Sequence, residues 1–153
     1  MTNVERILGE ITSAKIKRIA NDPRLAYYYA RDTVGGRFPE GEATLAKSDE
    51  WAYWYAMDVI GGRWPEAEPT IRTLPMIAVL YAKNVIKGRW PEAEPHIAES
   101  PRSAYTYAVQ FGRFLEGEEA VAKSEDYRAD YLELFPEAKD DWAMNGWIGW
   151  LDT

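Results

Sequence analysis

Apolar positions recur at helical spacing along most of the chain, and they do so in near-identical blocks. In Asp49–Ile60, Ala52, Tyr55, Ala56 and Val59 fall at i, i+3, i+4 and i+7, which is one face of an α-helix. The same slots hold Ala26, Tyr29, Ala30 and Thr33, then Ala78, Tyr81, Ala82 and Val85, then Ala104, Tyr107 and Ala108. Gly35-Gly36, Gly61-Gly62 and Lys87-Gly88 follow these helices, and a glycine there predicts a stop in the left-handed conformation. A second, shorter helix is predicted to start at each Trp-Pro or Phe-Pro, because proline fits a first helical turn and the following glutamates suit its positive end. Leu45, Ile71, Ile97 and Val121 share one slot as its inward anchor.

The junction between the two helices is spelled Gly-Arg-Trp-Pro-Glu-Ala-Glu-Pro at Gly62–Pro69 and again at Gly88–Pro95. Looser copies open at Gly36 and Gly112, and a faint one lies at Phe135–Ala138. In register, residues 22–47, 48–73 and 74–99 are three repeats of 26, and 100–123 is a fourth that has lost two residues near Gln110-Phe111. A period of this size predicts stacked supersecondary units. The expected fold is therefore all-α: one domain over 1–153, an α-solenoid of about four and a half helix–Gly–helix repeats.

Both ends are expected to carry caps. Residues 3–20 read as an amphipathic helix with Val4, Ile7, Leu8, Ile11 and Ala14 as a stripe predicted to cover one end of the stack, and Asp22-Pro23 as the start of the next helix. Residues 124–153 read as a degenerate repeat and C-terminal cap. Its Trp142, Trp147, Ile148, Trp150 and Leu151 are too apolar to leave wet, so they either cap the stack or dock a partner or a second copy.

Charge and composition narrow the function classes. A net charge of −7 argues against direct nucleic-acid or anionic-membrane binding. Cysteine is absent, which removes disulfides and thiolate chemistry and fits a reducing compartment. No stretch approaches the ~20 apolar residues of a membrane span, and no signal peptide is visible. A soluble, cytoplasmic protein is expected. Seven Trp and ten Tyr mean that large rings fill much of the interior.

The units at Tyr55–Pro69 and Tyr81–Pro95 resemble tandem repeats found in proteins of tailed bacteriophages and some bacteria. The resemblance covers residues 22–123 and implies an origin and a build, with no settled activity. For a phage-encoded protein it implies a place in the host cytoplasm and a host factor as partner. Repeats one and four depart from the pattern at Phe38, Gly41, Phe114, Leu115 and Gly117, as though the outer units met something different from the middle ones.

Nothing in the sequence assembles a catalytic centre, so no enzyme, cofactor or metal is expected. His96 is the single histidine, and Thr44 and Thr70 fill its slot elsewhere. The recurring pairs Glu40/Glu42, Glu66/Glu68, Glu92/Glu94 and Glu116/Glu118 are equivalent, whereas two-carboxylate catalysis needs two different environments. They suit helix N-termini, with Arg37, Arg63, Arg89 and Arg113 bridging to an adjacent unit. Alternatively Glu66, Glu68, Glu92 and Glu94 form an acidic ridge that mimics DNA and inhibits a nucleic-acid-binding enzyme. The positions that vary while the framework repeats are the better candidates for binding a protein: Tyr28, Trp51, Trp54, Ile77 and Leu80, on the outer side of the first helices. A homo-oligomer through Trp142, Trp147 and Trp150 is the third possibility.

Overall fold

In a computed structural model, described over residues 1–149, the regular secondary structure is all helical, with no strand among the described residues. It gathers into two compact units, Met1–Ile71 and Arg72–Thr153, where the sequence pattern suggests one domain. The break at Ile71/Arg72 lies two residues from the expected end of the second repeat at residue 73.

The first unit holds α1 (Asn3–Ala20), α2 (Pro23–Tyr28), α3 (Pro39–Leu45), α4 (Glu50–Trp54) and α5 (Glu68–Ile71). Thr2 and Glu5 close a reciprocal capping box at the start of α1. Asp22 caps α2 by accepting the Leu25 N–H at 2.9 Å, with Pro23 in the first turn, as the sequence predicts. The second unit holds α6 (Pro75–Tyr81), α7 (Glu94–Ile97), α8 (Pro101–Phe111), α9 (Glu118–Ala122), α10 (Arg128–Leu134) and α11 (Ala138–Met144).

The repeated alanines and the anchors behave as their spacing predicts. Ala26, Ala30, Ala52, Ala56, Ala78, Ala82, Ala104 and Ala108 are buried, as are Leu45, Ile71, Ile97 and Val121. The i+7 positions differ from expectation: Thr33 is exposed and Val59 and Val85 are only half-buried. The reason lies in the backbone. Helices α2, α4 and α6 continue as π-helical stretches, Tyr29–Val34, Tyr55–Ile60 and Ala82–Ile86. A π turn closes i→i+5 hydrogen bonds, so its wider turn swings later side chains off the buried face. Each stretch ends on a left-handed residue, Gly35 (φ 71°), Gly61 (φ 74°) and Lys87 (φ 61°). Helix α8 lacks a π stretch and remains α to Phe111, and it belongs to the repeat that is two residues short. The length difference between repeats is thus absorbed in the last turn of the first helix.

The departures in repeats one and four also have a local cause. Trp64 and Trp90 are buried beside Ala67 and Ala93, whereas Phe38 and Phe114 are buried beside Gly41 and Gly117. A Cβ on Gly41 would lie 2.7 Å from Phe38 Cδ1 and 3.0 Å from Ala26 Cβ. On Gly117 it would lie 2.7 Å from Phe114 Cδ1 and 2.6 Å from Ala104 Cβ. The phenyl ring occupies the space the alanine methyl needs, so Phe goes with Gly and Trp with Ala. Packing inside the repeat accounts for the Phe and Gly departures; Leu115, exposed in the proline slot, is not explained by it.

Helix α1 departs most from expectation. It packs on α2 and α3, but its buried and half-buried positions are Ile16, Ile19 and Ala20 near the C-terminal end. Val4, Ile7, Leu8 and Ile11 are exposed, so the stripe is not the buried covering face that the sequence suggests. Residues 3–15 are exposed on every side, and only the C-terminal end of α1 is partly covered.

The Phe–Gly pairing is testable by denaturant unfolding. Gly41→Ala alone is expected to destabilise the protein by ~1–3 kcal/mol through overpacking. Adding Phe38→Trp should recover most of that loss. No recovery in the double variant contradicts the paired packing.

Candidate functional site

One polar arrangement recurs at the junctions. The Tyr55 hydroxyl accepts the backbone N–H of Phe38 at 2.8 Å and donates to Glu42 Oε1 at 2.8 Å. Arg37 grips the same carboxylate through Nε and Nη2 at 2.7 and 2.8 Å. Tyr107 repeats the geometry on Trp90 N–H and Glu94 Oε1, both at 2.8 Å. Tyr131 repeats it on Phe114 N–H at 3.0 Å and Glu118 Oε1 at 2.9 Å. The sequence offsets are 17 and 13 in all three cases.

The sequence suggests arginines that bridge to an adjacent unit, but their main partner is the carboxylate of their own junction. Arg37, Arg63 and Arg113 fork onto Glu42, Glu68 and Glu118 of their own junction. Arg113 also reaches across, its Nη2 donating to Asp141 Oδ2 of the degenerate last repeat at 2.7 Å, and so does Arg89. Arg89 Nη1 lies 3.6 Å from Glu94, while its Nη2 donates to the carbonyls of Phe111, Gly112 and Arg113 at 3.2, 3.2 and 2.8 Å. Those carbonyls follow the shortened helix α8, and the guanidinium satisfies them.

These contacts divide the acidic pairs. Two residues i and i+2 on a helix face opposite ways, so one carboxylate of each pair turns in. Glu42, Glu68 and Glu94 are half-buried and Glu118 is 2% exposed, while Glu40, Glu66, Glu92 and Glu116 are exposed. Of the four residues expected to form an acidic ridge, Glu68 and Glu94 are engaged internally, and Glu66 and Glu92 point outward.

The environment shifts the titrations accordingly. The Arg37 guanidinium, with the Tyr55 hydroxyl, holds the Glu42 carboxyl below the usual range against the opposing effect of burial. Burial pushes the Tyr55 hydroxyl up to about 12; the Phe38 N–H opposes this and the Glu42 carboxylate adds to it. Tyr107 and Tyr131 are raised for the same reasons, burial first.

A second feature is an open cleft of about 330 Å³ in the first unit, lined by Tyr27, Tyr28, Arg31, Trp51, Trp54 and Asp58. Trp51 stands 5.4 Å from the Tyr27 ring and 5.8 Å from Tyr28, centre to centre. Tyr27 donates to Asp58 Oδ2 at 2.5 Å and accepts from Arg31 Nη1 at 3.2 Å. The Arg31 guanidinium lies 5.3 and 4.9 Å from the Tyr27 and Tyr28 rings and forks onto Asp32. Tyr28 and Trp54 are 37% and 38% exposed.

Three of the five residues expected to bind a partner, Tyr28, Trp51 and Trp54, therefore meet in one cleft. Ile77 and Leu80 stand on α6 in the second unit, both half-buried. Tyr27 and Arg31 escape a reading based on variable positions. Their i, i+4 spacing, like that of Trp54 and Asp58, is the signal that places them on one strip of helix surface.

At the C-terminal end Trp142 is fully buried. Its Nε1 donates to Glu118 Oε2 at 3.0 Å and its ring lies 5.3 Å from Tyr131. In this position Trp142 completes the last junction and presents no surface to a partner. Trp147 is half-buried and lines a hollow of about 250 Å³ with Arg113, Leu115, Asp141 and Met144. Trp150 and Leu151 lie outside the described residues. His96 is half-buried, and among the described residues no three His, Asp or Glu side chains gather to hold a metal ion. No described helix is long and apolar enough to cross a membrane. No known protein family, curated protein or solved structure matches the chain.

The titrations set a pH window. The tyrosines keep their protons in the folded state while the unfolded chain ionises near pH 10, so stability is full below that and falls as pH rises toward about 12. Glu42 acts in the opposite sense: its contribution is present above about pH 4.5 and is lost as pH falls through the depressed folded value. Urea unfolding across pH should show both flanks. Replacing Tyr55, Tyr107 and Tyr131 by Phe should flatten the alkaline flank, and an unchanged slope refutes the assignment.

Proposed function

We propose that the chain is a protein-binding module, built as an α-solenoid of about four and a half short helical hairpins with terminal caps, that presents the Tyr28–Trp51–Trp54 cleft to a protein partner. The observation that carries this reading is the cleft itself. Three large rings, two of them more than one-third exposed, converge where the framework positions around them are fixed by buried alanines. Trp and Tyr in such a setting supply large contact area at low entropic cost and are enriched among residues that dominate binding energy. Arg31 and Asp58 add a donor and an acceptor at the rim.

The resemblance of the repeats to those of tailed phages makes a protein of the bacterial host the first partner to seek, and steric blocking the simplest mode of action. The acidic-ridge reading draws less support, because two of its four carboxylates are held inside the protein. Self-association through the C-terminal tryptophans is likewise weakened by the burial of Trp142.

Affinity capture from bacterial lysate with the wild-type chain, Trp54→Ala, Tyr28→Ala and Glu66→Gln/Glu92→Gln separates these readings. The cleft reading expects Trp54→Ala to lose the captured protein, a drop of ~2 kcal/mol or more if it is a dominant contact. It expects Glu66→Gln/Glu92→Gln to retain it in raised salt. Capture that survives Trp54→Ala but fails with Glu66→Gln/Glu92→Gln overturns the cleft in favour of the ridge.

A further inference from the structure

We infer that the Trp54 cleft receives an arginine side chain of the protein partner, held between the exposed rings and the Asp58 carboxylate. The inference rests on the reading of the cleft as a protein-binding site and names the chemistry that the site recognises. It starts from a juxtaposition that the repeats produce once. The slots of Trp51, Trp54 and Asp58 hold Leu25, Tyr28 and Asp32 in the first repeat, and Ile77, Leu80 and Asn84 in the third. In the fourth, Ser103 and Thr106 stand in place of the rings. Two indoles and a carboxylate therefore come together in the second repeat alone, and Tyr27 and Tyr28 of the first complete the cleft walls.

The charges of the cleft do not balance. Arg31 forks onto Asp32 through Nε and Nη2 at 2.7 and 3.0 Å, so its charge is already matched. Asp58 forms no ion pair among the described residues. Its Oδ2 accepts the Tyr27 hydroxyl at 2.5 Å, which holds the carboxylate at the cleft wall and leaves Oδ1 for a ligand. The rings act in the same sense, because an aromatic face is negative and a guanidinium is the cation most often found over one. The cleft contains an example: Arg31 Cζ lies 5.3 and 4.9 Å from the ring centres of Tyr27 and Tyr28. Trp51 leans on those two tyrosines, whereas Trp54 leans on Tyr53 at 4.9 Å. The two indoles thus belong to separate ring clusters, and both line the cleft.

This environment discriminates among occupants. An acidic side chain would meet Asp58 and find Arg31 already engaged by Asp32. An apolar side chain or a proline-rich segment would cover the rings but strip water from Asp58 without replacing it, and a charge buried unpaired is costly. Lysine brings the right charge on a compact, strongly hydrated ammonium that cannot lie flat on an indole. Arginine is weakly hydrated and planar, so it can stack on the ring and still donate to the carboxylate. A volume of about 330 Å³ lies at the small end of ligand pockets and suits one side chain. The net charge of −7 draws a basic partner surface toward the chain before the arginine docks.

NMR of the indole N–H groups of the whole chain tests this, with Nα-acetyl-arginine methylamide as the probe and its citrulline analogue as the uncharged isostere. The Trp54 signal is the one missing from Trp54→Leu. The arginine probe is expected to shift it with a Kd of ~1–10 mM, and citrulline to bind at least ~tenfold more weakly. Asp58→Asn should also weaken the arginine probe at least ~tenfold with unchanged circular dichroism, since Asn can still accept the Tyr27 hydroxyl. The third repeat carries Leu80 and Asn84 in these two slots, so the repeat framework accommodates both substitutions. Should Asp58→Asn unfold, the comparison of arginine with citrulline on the wild-type chain decides alone. Equal shifts by the two probes, no shift of the Trp54 signal up to ~50 mM arginine probe, or a folded Asp58→Asn that binds as well as wild type overturns the inference. If Trp54→Ala still loses the captured protein in that case, the cleft remains a protein-binding site whose anchor is not a cation. Capture that survives Trp54→Ala refutes the cleft reading and the arginine anchor together.

Discussion

A carboxylate removed from water must find its hydrogen bonds inside the protein, and that requirement organises this chain. Glu118 shows the fullest case: it is nearly inaccessible and receives Arg113, Tyr131 and Trp142. Glu42 and Glu94 receive an arginine and a tyrosine in the same way. A buried charge left without these partners would cost several kcal/mol. The tyrosine is also the acceptor for the N–H at the start of the preceding short helix, so one hydroxyl ties a carboxylate and a backbone group together. Because the offsets of 13 and 17 residues are constant, the network sets how far apart successive repeats can be in sequence.

Around that fixed point the chain tolerates variation where geometry allows it. The first helix of a repeat absorbs or sheds residues in its last turn, as a π stretch in three repeats and as plain α-helix in α8. When α8 is shortened, Arg89 turns to its terminal carbonyls and loosens its hold on Glu94. The aromatic residue of the junction is Trp with Ala or Phe with Gly, and the volume is conserved within the pair. Side chains on the outer face of the first helices are under no such constraint, which is why Tyr28, Trp51 and Trp54 can be spent on a cleft.

Much of this was legible in the repeats. The alanine positions, the anchors Leu45, Ile71, Ile97 and Val121, the proline starts and the Asp22 cap all follow from spacing and local chemistry, and the structure places them so. Three of the cleft residues follow from asking which positions fail to repeat. The π turns were not legible, because periodicity assumes a constant turn and the extra residue leaves no local signature. Nor was the splitting of each glutamate pair: both residues suit a helix N-terminus, and only the position of a tyrosine 13 residues on decides which one turns in. The α1 stripe looked like a cap because amphipathicity reports that a face will be covered and is silent about what covers it.

The account stands on the coupling between the tyrosine and the carboxylate, and a double-mutant cycle measures it directly. Urea unfolding of the wild type, Tyr107→Phe, Glu94→Gln and the double variant gives the interaction energy of the pair. A coupling of ~1–3 kcal/mol is predicted for a buried hydrogen bond to a charged group. Effects that add to within ~0.5 kcal/mol would mean that the two side chains act independently, and the junction would lose its place as the interaction on which the fold depends.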